Sequence, residues 1–320
     1  MSTRRPGRYR RLAGTLFAVA AFTFLAVFVA RNLEQLRAHE WSIRPGLLGL
    51  SILLNIVGLA WGVRVWQLLL RRLDTSVRYL ALARVWFVSG LGRYIPGKVW
   101  QFVGAAHLGR VAGLSPTIAV TSLAVHTGLF ILGALVVAVY LVPSPVGDLG
   151  GIAVDIVRWT GPLLLLLAHP ALIGGCLNLV RRATSSAMAE WRAGWGYGVG
   201  LVLLSAIGWI VSGAALFLFI LALTPLPLSG LTGVIGINAL AFVAGYVVFI
   251  APAGLGAKET ALTALLAFYV PAPVAAVLAI AARLWTVAAE LIPALLLLGH
   301  SASDALPAEP EPSATGASET

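Results

Sequence analysis

The sequence predicts an all-α polytopic membrane protein, and three observations predict it. Hydrophobic residues fill 59% of the 320 positions and charged residues only 11%, where a soluble domain carries about 25%. The apolar residues fall in blocks of about 18 or more, the length that crosses ~30 Å of hydrocarbon. Arg and Lys gather at the ends of those blocks, as the positive-inside rule expects. The formal net charge of +10 therefore belongs to membrane edges. No basic, aromatic-interleaved soluble surface is left for a nucleic acid. Cys176 is the single cysteine, which excludes an intrachain disulfide and argues against a Cys-based metal site.

The elements follow in chain order. Arg4, Arg5, Arg8, Arg10 and Arg11 precede an apolar run from Leu12 to Ala30. That run is longer than a signal peptide's apolar region and lacks a convincing small-residue cleavage site, so it reads as a first span. A polar stretch from Arg31 to Arg44 leads to a second span, Leu47 to Leu70, and a basic loop with Arg71, Arg72 and Arg78. Tyr79 to Arg110 is apolar but broken by Gly90, Gly92, Pro96 and Gly97. Each half makes about 22 Å of helix, marginal for a crossing, which suggests a re-entrant hairpin.

Further spans are expected at Pro116–Val142, at Ile152–Leu179 with Pro162 and Pro170 as kink sites, at Tyr197–Leu223 and at Leu231–Ile250. A second break follows at Pro252, Ala253, Gly254, Leu255 and Gly256. Then come a short apolar helix, Glu259 to Tyr269, and a last span, Val274 to Gly299. The total is about seven spans plus two re-entrant or broken-helix hairpins. The chain divides into a basic N-tail (1–11), a membrane domain (12–300) and a Pro-, Ala-, Ser- and Glu-rich tail (301–320) that cannot bury a core. Trp41, Trp159, Trp191 and Trp195 fall near span ends, as an aromatic belt does. Gly58-xxx-Gly62 and Gly196-xxx-Gly200 read as close helix contacts.

The N-tail and the loops at 71–78 and 181–192 hold eleven Arg, so that set is assigned to the cytoplasm, with both termini. Walking the spans then opens the first hairpin to the cytoplasm and the second to the outside. Broken elements that open to opposite faces are what an inverted repeat produces. The alternative is an ordinary loop at 251–257 with a peripheral helix at 259–269.

The breaks carry the charge. Arg84, Arg93, Lys98, His107 and Arg110 surround the first; Lys258 and Glu259 follow the second. The last span adds Arg283 and Glu290, seven residues apart and so on one helical face. An ionisable group facing lipid at mid-membrane costs at least ~2.5–3.5 kcal/mol. These side chains must therefore meet each other, a polar cavity or a ligand. Among the deeper ones, Arg93, Lys98, Lys258 and Arg283 outnumber Glu259 and Glu290. Pairing Arg283 with Glu290 or Glu259 settles part of the excess, and what is left suits an anion, in a membrane a lipid phosphate. Helices restarting after Gly97 or Gly256 would add free N–H groups. The alternative for Arg93 and Lys98, and more so for Arg84 and Arg110, is snorkelling to headgroups. His126 and Asn238 read as interhelical hydrogen-bond partners. Residues 254–260 fail as a phosphate loop because Glu259 follows Lys258 where Ser or Thr is required. No motif for covalent or metal catalysis and no cofactor motif is present.

Gly92-Arg93-Tyr94-Ile95-Pro96-Gly97-Lys98-Val99-Trp100, followed by Arg110, resembles the first signature of the lysylphosphatidylglycerol synthase transmembrane-region family. Pro252-Ala253-Gly254-Leu255-Gly256-Ala257-Lys258-Glu259 resembles the second, usually Pro-Gly-Gly-hydrophobic-Gly-x-Arg-Glu. The resemblance spans about residues 10–300. It implies a flippase-like integral membrane protein; in bifunctional relatives this region moves an aminoacylated phospholipid between leaflets. Carried over, Arg93, Pro96, Gly97, Lys98, Gly254, Gly256 and Glu259 are the positions at stake. Ala253 replaces a common Gly, and Lys258 replaces a common Arg, which loses bidentate phosphate geometry. The soluble aminoacyl-transferase domain is absent from this sequence, so synthesis of lysylphosphatidylglycerol is not expected.

The expected function is a lipid flippase-like transporter of the cell membrane. It would bind an anionic headgroup, of a phospholipid or a polyprenyl-phosphate glycolipid, through Arg93, Lys98, Lys258 and Arg283. Glu259 and Glu290 would act as charge partners, and Pro96, Gly97, Pro252, Gly254 and Gly256 would form the breaks. The alternatives are a non-transporting membrane partner of an envelope glycosyltransferase, an enzyme acting on lipid phosphate, and ordinary solute or ion transport.

Overall fold

A computed structural model describes residues 30–73, 75–94, 100–143, 159–184, 193–247 and 256–298, together with Thr23, Val27 and Trp191. Most of the expected first span and both tails lie outside the described residues. Among those described, every regular element is helical: α1 (Leu33–Ala38), α2 (Pro45–Arg71), α3 (Tyr79–Gly90), α4 (Trp100–Val111), α5 (Pro116–Leu141), α6 (Trp159–Leu166), α7 (Pro170–Thr184), α8 (Trp195–Leu223), α9 (Leu231–Val247), α10 (Ala257–Leu266) and α11 (Ala272–Leu298). Short 3₁₀ turns follow α3 at Leu91–Tyr94 and precede α9 at Leu228–Gly230. Five helices (α2, α5, α8, α9 with its 3₁₀ turn, and α11) are long and apolar enough to cross a bilayer, and α6 with α7 makes up to six. The chain is a multi-pass integral membrane protein.

Local chemistry sets the boundaries. Pro45 and Pro116 open α2 and α5 at positions where the N–H has no helical partner. Ser115 caps α5 by accepting from the Ile118 N–H at 3.2 Å. The pair α6–α7 bends by 44°. The bend lies before Pro170, whose missing N–H stops the ladder, and not at Pro162. The segment before α2 is tied down more firmly than a polar stretch implies. Ser42 and Arg44 N–H groups donate to the Leu223 and Ala222 carbonyls at 2.9 and 3.0 Å. His39 bonds Thr224 at 2.8 Å.

Helices α2 and α8 run antiparallel along their full length. Ser42 meets the end of α8. At the other end Tyr197 donates to the Leu68 carbonyl at 2.8 Å, and Arg72 lies over its ring. The end of α2, with Arg71 and Arg72, and the start of α8 thus lie on one side of the bundle.

Val77 and Leu114, which flank the α3–α4 unit, share an apolar cluster with Leu70 at that basic end. The α9–α10 unit is anchored at the opposite end. Val270 packs with Leu36 and Leu226, and Tyr269 lies against Gly230. Helix α11 packs against both units. At ~1.5 Å per residue, α3, α4 and α10 make roughly 18, 18 and 15 Å, too short to cross.

Lipid offers no hydrophobic drive for helix association, so close backbone approach supplies it. A Cβ on Gly213 of α8 would stand 2.5 Å from Ile235 Cα of α9, and one on Gly236 of α9 would stand 2.4 Å from the Leu141 carbonyl carbon of α5. Gly58 likewise faces α8 at 3.4–3.5 Å. Gly196 and Gly200 have nothing within 4 Å, so that expected contact is not made. The close approach in this stretch is at Gly198 instead, where a Cβ would stand 2.5 Å from the Ala168 carbonyl oxygen. Gly213→Val should lower stability by about 1–3 kcal/mol through overpacking, whereas Gly128→Ala, in open space, should cause no loss. Thermal unfolding midpoints in detergent measure both.

Candidate functional site

Three of the expected cations come together. Arg93 stands on the 3₁₀ turn after α3, Lys258 in the first turn of α10, and Arg283 eleven residues into α11. All three line a single cavity of about 170 Å³, together with Glu290. Arg283 is roughly 16 Å from one end of its helix and roughly 22 Å from the other, so this cavity lies near the middle of the α11 span. Lys98, Pro96, Gly97, Pro252 and Gly254 lie outside the described residues. Arg84, His107 and Arg110 do not line the cavity, and His107 and Arg110 are exposed.

Helix α11 organises the charges. Glu290 Oε1 takes Arg93 Nη1 at 3.3 Å, and Glu290 Oε2 accepts from the Tyr94 hydroxyl at 2.8 Å. Arg93 Nε also donates to the Gly90 carbonyl at 2.8 Å, which folds the side chain back over its own turn. Seven residues earlier, Arg283 Nη1 meets Glu259 Oε1 at 3.4 Å. Each broken element is therefore joined to α11 by one ion pair, with the signs reversed between the two. Arg283 does not pair with Glu290. Their offset is ~10 Å along the axis, and each reaches a different neighbour. The Arg283 guanidinium also lies over the Tyr94 ring at 5.2 Å, which links the two pairs.

The start of α10 is shaped by Gly256, whose φ of 86° is a conformation that L side chains rarely adopt. Glu259 reaches back and accepts from the Gly256 N–H at 2.7 Å, half of a capping box. The carboxylate thus occupies a helix-end N–H that the sequence offers to an anion. Lys258 is different. Among the described residues it has no carboxylate within 4 Å. It fits against α9 because Gly245 has no side chain; a Cβ there would meet Lys258 Cβ at 2.9 Å.

The remaining walls are neutral. A chain of hydrogen bonds joins α9, α8 and α2: Asn238 Nδ2 donates to Ser212 Oγ at 3.3 Å, and Ser212 Oγ donates to Asn55 Oδ1 at 3.0 Å. Asn238 is the interhelical partner that its position predicts. His126 is not. Its two ring nitrogens are buried with no hydrogen-bond partner among the described residues. Its ring lies edge-on to Trp86 at 5.0 Å and stacks on Phe130 at 5.9 Å. Sequence reading missed Tyr94, Asn55 and Ser212. Tyr94 stands inside the first break motif, beside Arg93, and that adjacency was the available signal.

A multi-helix membrane domain in which Arg93, Lys258 and Arg283 line one cavity defines the class. The chain matches the family described as Lysylphosphatidylglycerol synthase TM region over residues 12–294 and belongs to it. Among curated proteins, none matches the chain.

Loss of one partner from a buried ion pair leaves an uncompensated charge and costs about 3–5 kcal/mol. The Arg283–Glu259 side chains are 13% and 2% exposed, against 28% and 8% for Arg93–Glu290. Glu259→Ala should therefore destabilise the protein more than Glu290→Ala. Arg283→Met combined with Glu259→Leu should recover most of the loss. Unfolding midpoints of the single and double variants test the order.

Proposed function

We propose that this protein is a lipid flippase-like transporter that holds an anionic headgroup in the mid-bilayer cavity. One observation carries the reading: three cationic side chains from two broken elements and α11 line one cavity beside a single lining carboxylate. A site left net positive in hydrocarbon is costly until an anion fills it, and lipid phosphate is the anion at hand. In this reading the phosphate binds Lys258 first, because that group has no carboxylate to give up among the described residues, and Arg93 and Arg283 turn towards it from their carboxylates. Lys98 joins them from the first break.

The α3–α4 and α9–α10 units are the two re-entrant hairpins of an inverted repeat, within a domain of about seven spans. Their anchoring at opposite ends of the bundle supports this. Rocking of one half against the other around α11 would expose the cavity to alternate leaflets. The protein works in the cell membrane with both termini in the cytoplasm, consistent with the basic end of α2 lying beside the start of α8.

The test is leaflet accessibility of labelled anionic phospholipids and polyprenyl-phosphate lipids in proteoliposomes. The protein should accelerate exchange over empty vesicles. Lys258→Met, which strands no carboxylate, should slow it at least tenfold, the effect of ~1.4 kcal/mol. Absence of acceleration for every lipid would leave a membrane anchor or glycosyltransferase partner as the better reading.

A further inference from the structure

We infer that the neutral wall of the cavity is a hydroxyl-binding subsite, so that the headgroup taken is a phosphate carrying a polyol, either glycerol or sugar. The inference rests on the proposed headgroup site and adds the second half of it.

Three nearly inaccessible polar side chains line this wall: Asn55 at 2% exposure, Asn238 at 4% and His126 at 0%. The hydrogen-bond chain through Ser212 uses Asn55 Oδ1 and Asn238 Nδ2. Among the described residues it leaves Asn55 Nδ2, a donor, and Asn238 Oδ1, an acceptor, without a protein partner. His126 adds two orphaned ring nitrogens; a neutral imidazole has one donor and one acceptor. The orphaned, buried His126 nitrogens cost about 1–3 kcal/mol each, and a ligand that pairs them recovers that cost. Together the three positions offer both donors and acceptors, and none carries a formal charge. A hydroxyl, which is both donor and acceptor, matches that inventory. In the proposed complex, rotation about the broad imidazole torsion would turn a His126 nitrogen towards the lumen.

An ammonium-bearing headgroup fits poorly. Both nearby carboxylates are engaged by arginines, and three cations line the same cavity. Nor do the rings form an open cation cage. Phe130, Trp209 and Phe242 pack on one another, with centroids 4.6 Å apart at Phe130–Trp209 and at Trp209–Phe242.

The experiment compares binding of two lipids to the full chain in detergent by native mass spectrometry. One is phosphatidylglycerol. The other is phosphatidylpropanol with the same acyl chains, which has the same charge and three-carbon headgroup without hydroxyls. A polyprenyl phosphohexose against its polyprenyl methyl phosphodiester forms a second pair. A preference of about tenfold for the hydroxylated member of either pair is expected, and the pair that shows it identifies glycerol or sugar. His126→Phe, which keeps the aromatic packing, and Asn55→Ala should bring that preference close to one while leaving phosphatidylpropanol binding unchanged. Equal binding within both pairs by the unaltered protein would overturn the hydroxyl subsite and leave the anionic site standing. A preference that survives in both variants, or a parallel loss of phosphatidylpropanol binding, would also overturn it. If none of the four lipids binds, the headgroup site itself fails.

Discussion

Charge in hydrocarbon must be paired, and this fold is arranged around that constraint. Helix α11 carries a base and an acid in one apolar span, seven residues apart. Two short elements bring the complementary groups, Glu259 to Arg283 and Arg93 to Glu290. Without those partners, α11 would hold two bare charges near mid-bilayer, each costing several kcal/mol. Without α11, helices too short to cross the membrane would have no charged anchor at their inner ends. The pairs thus both dock the short helices on α11 and keep charged groups in a cavity among apolar helices.

The same arrangement separates structural from available charge. Glu259 is doubly used, by Arg283 and by the Gly256 N–H, and it fixes the start of α10. Glu290 is shared by Arg93 and the Tyr94 hydroxyl, in a more exposed setting. Lys258 sits one residue before Glu259 on α10 and is held by its backbone fit to Gly245. A site built this way has a rigid ion pair on one side, a looser one on the other, and a lysine whose ammonium is not consumed by either. Neutral amides and an imidazole add further polar groups to a cavity whose lining is otherwise largely apolar and aromatic.

Composition, block length and the position of arginines determined the fold class and five of the spans, because the hydrocarbon thickness imposes a length that any apolar block reveals. The two breaks were legible because glycine and proline interrupt helices for local reasons. The convergence of Arg93, Lys258 and Arg283 followed from the rule that deep charges cannot face lipid. Tertiary structure alone decided the partners. Sequence spacing put Arg283 and Glu290 on one face and made their pairing attractive, but a ~10 Å axial offset sent each to a different element. The bend before Pro170, the open space at Gly196, the orphaned His126 and the Asn55–Ser212–Asn238 chain were likewise fixed by which helices cross where. A one-dimensional pattern records how polar a residue is and how far along its helix it lies; it does not record which neighbour stands opposite, and in a bundle held by backbone contact that choice is made by shape.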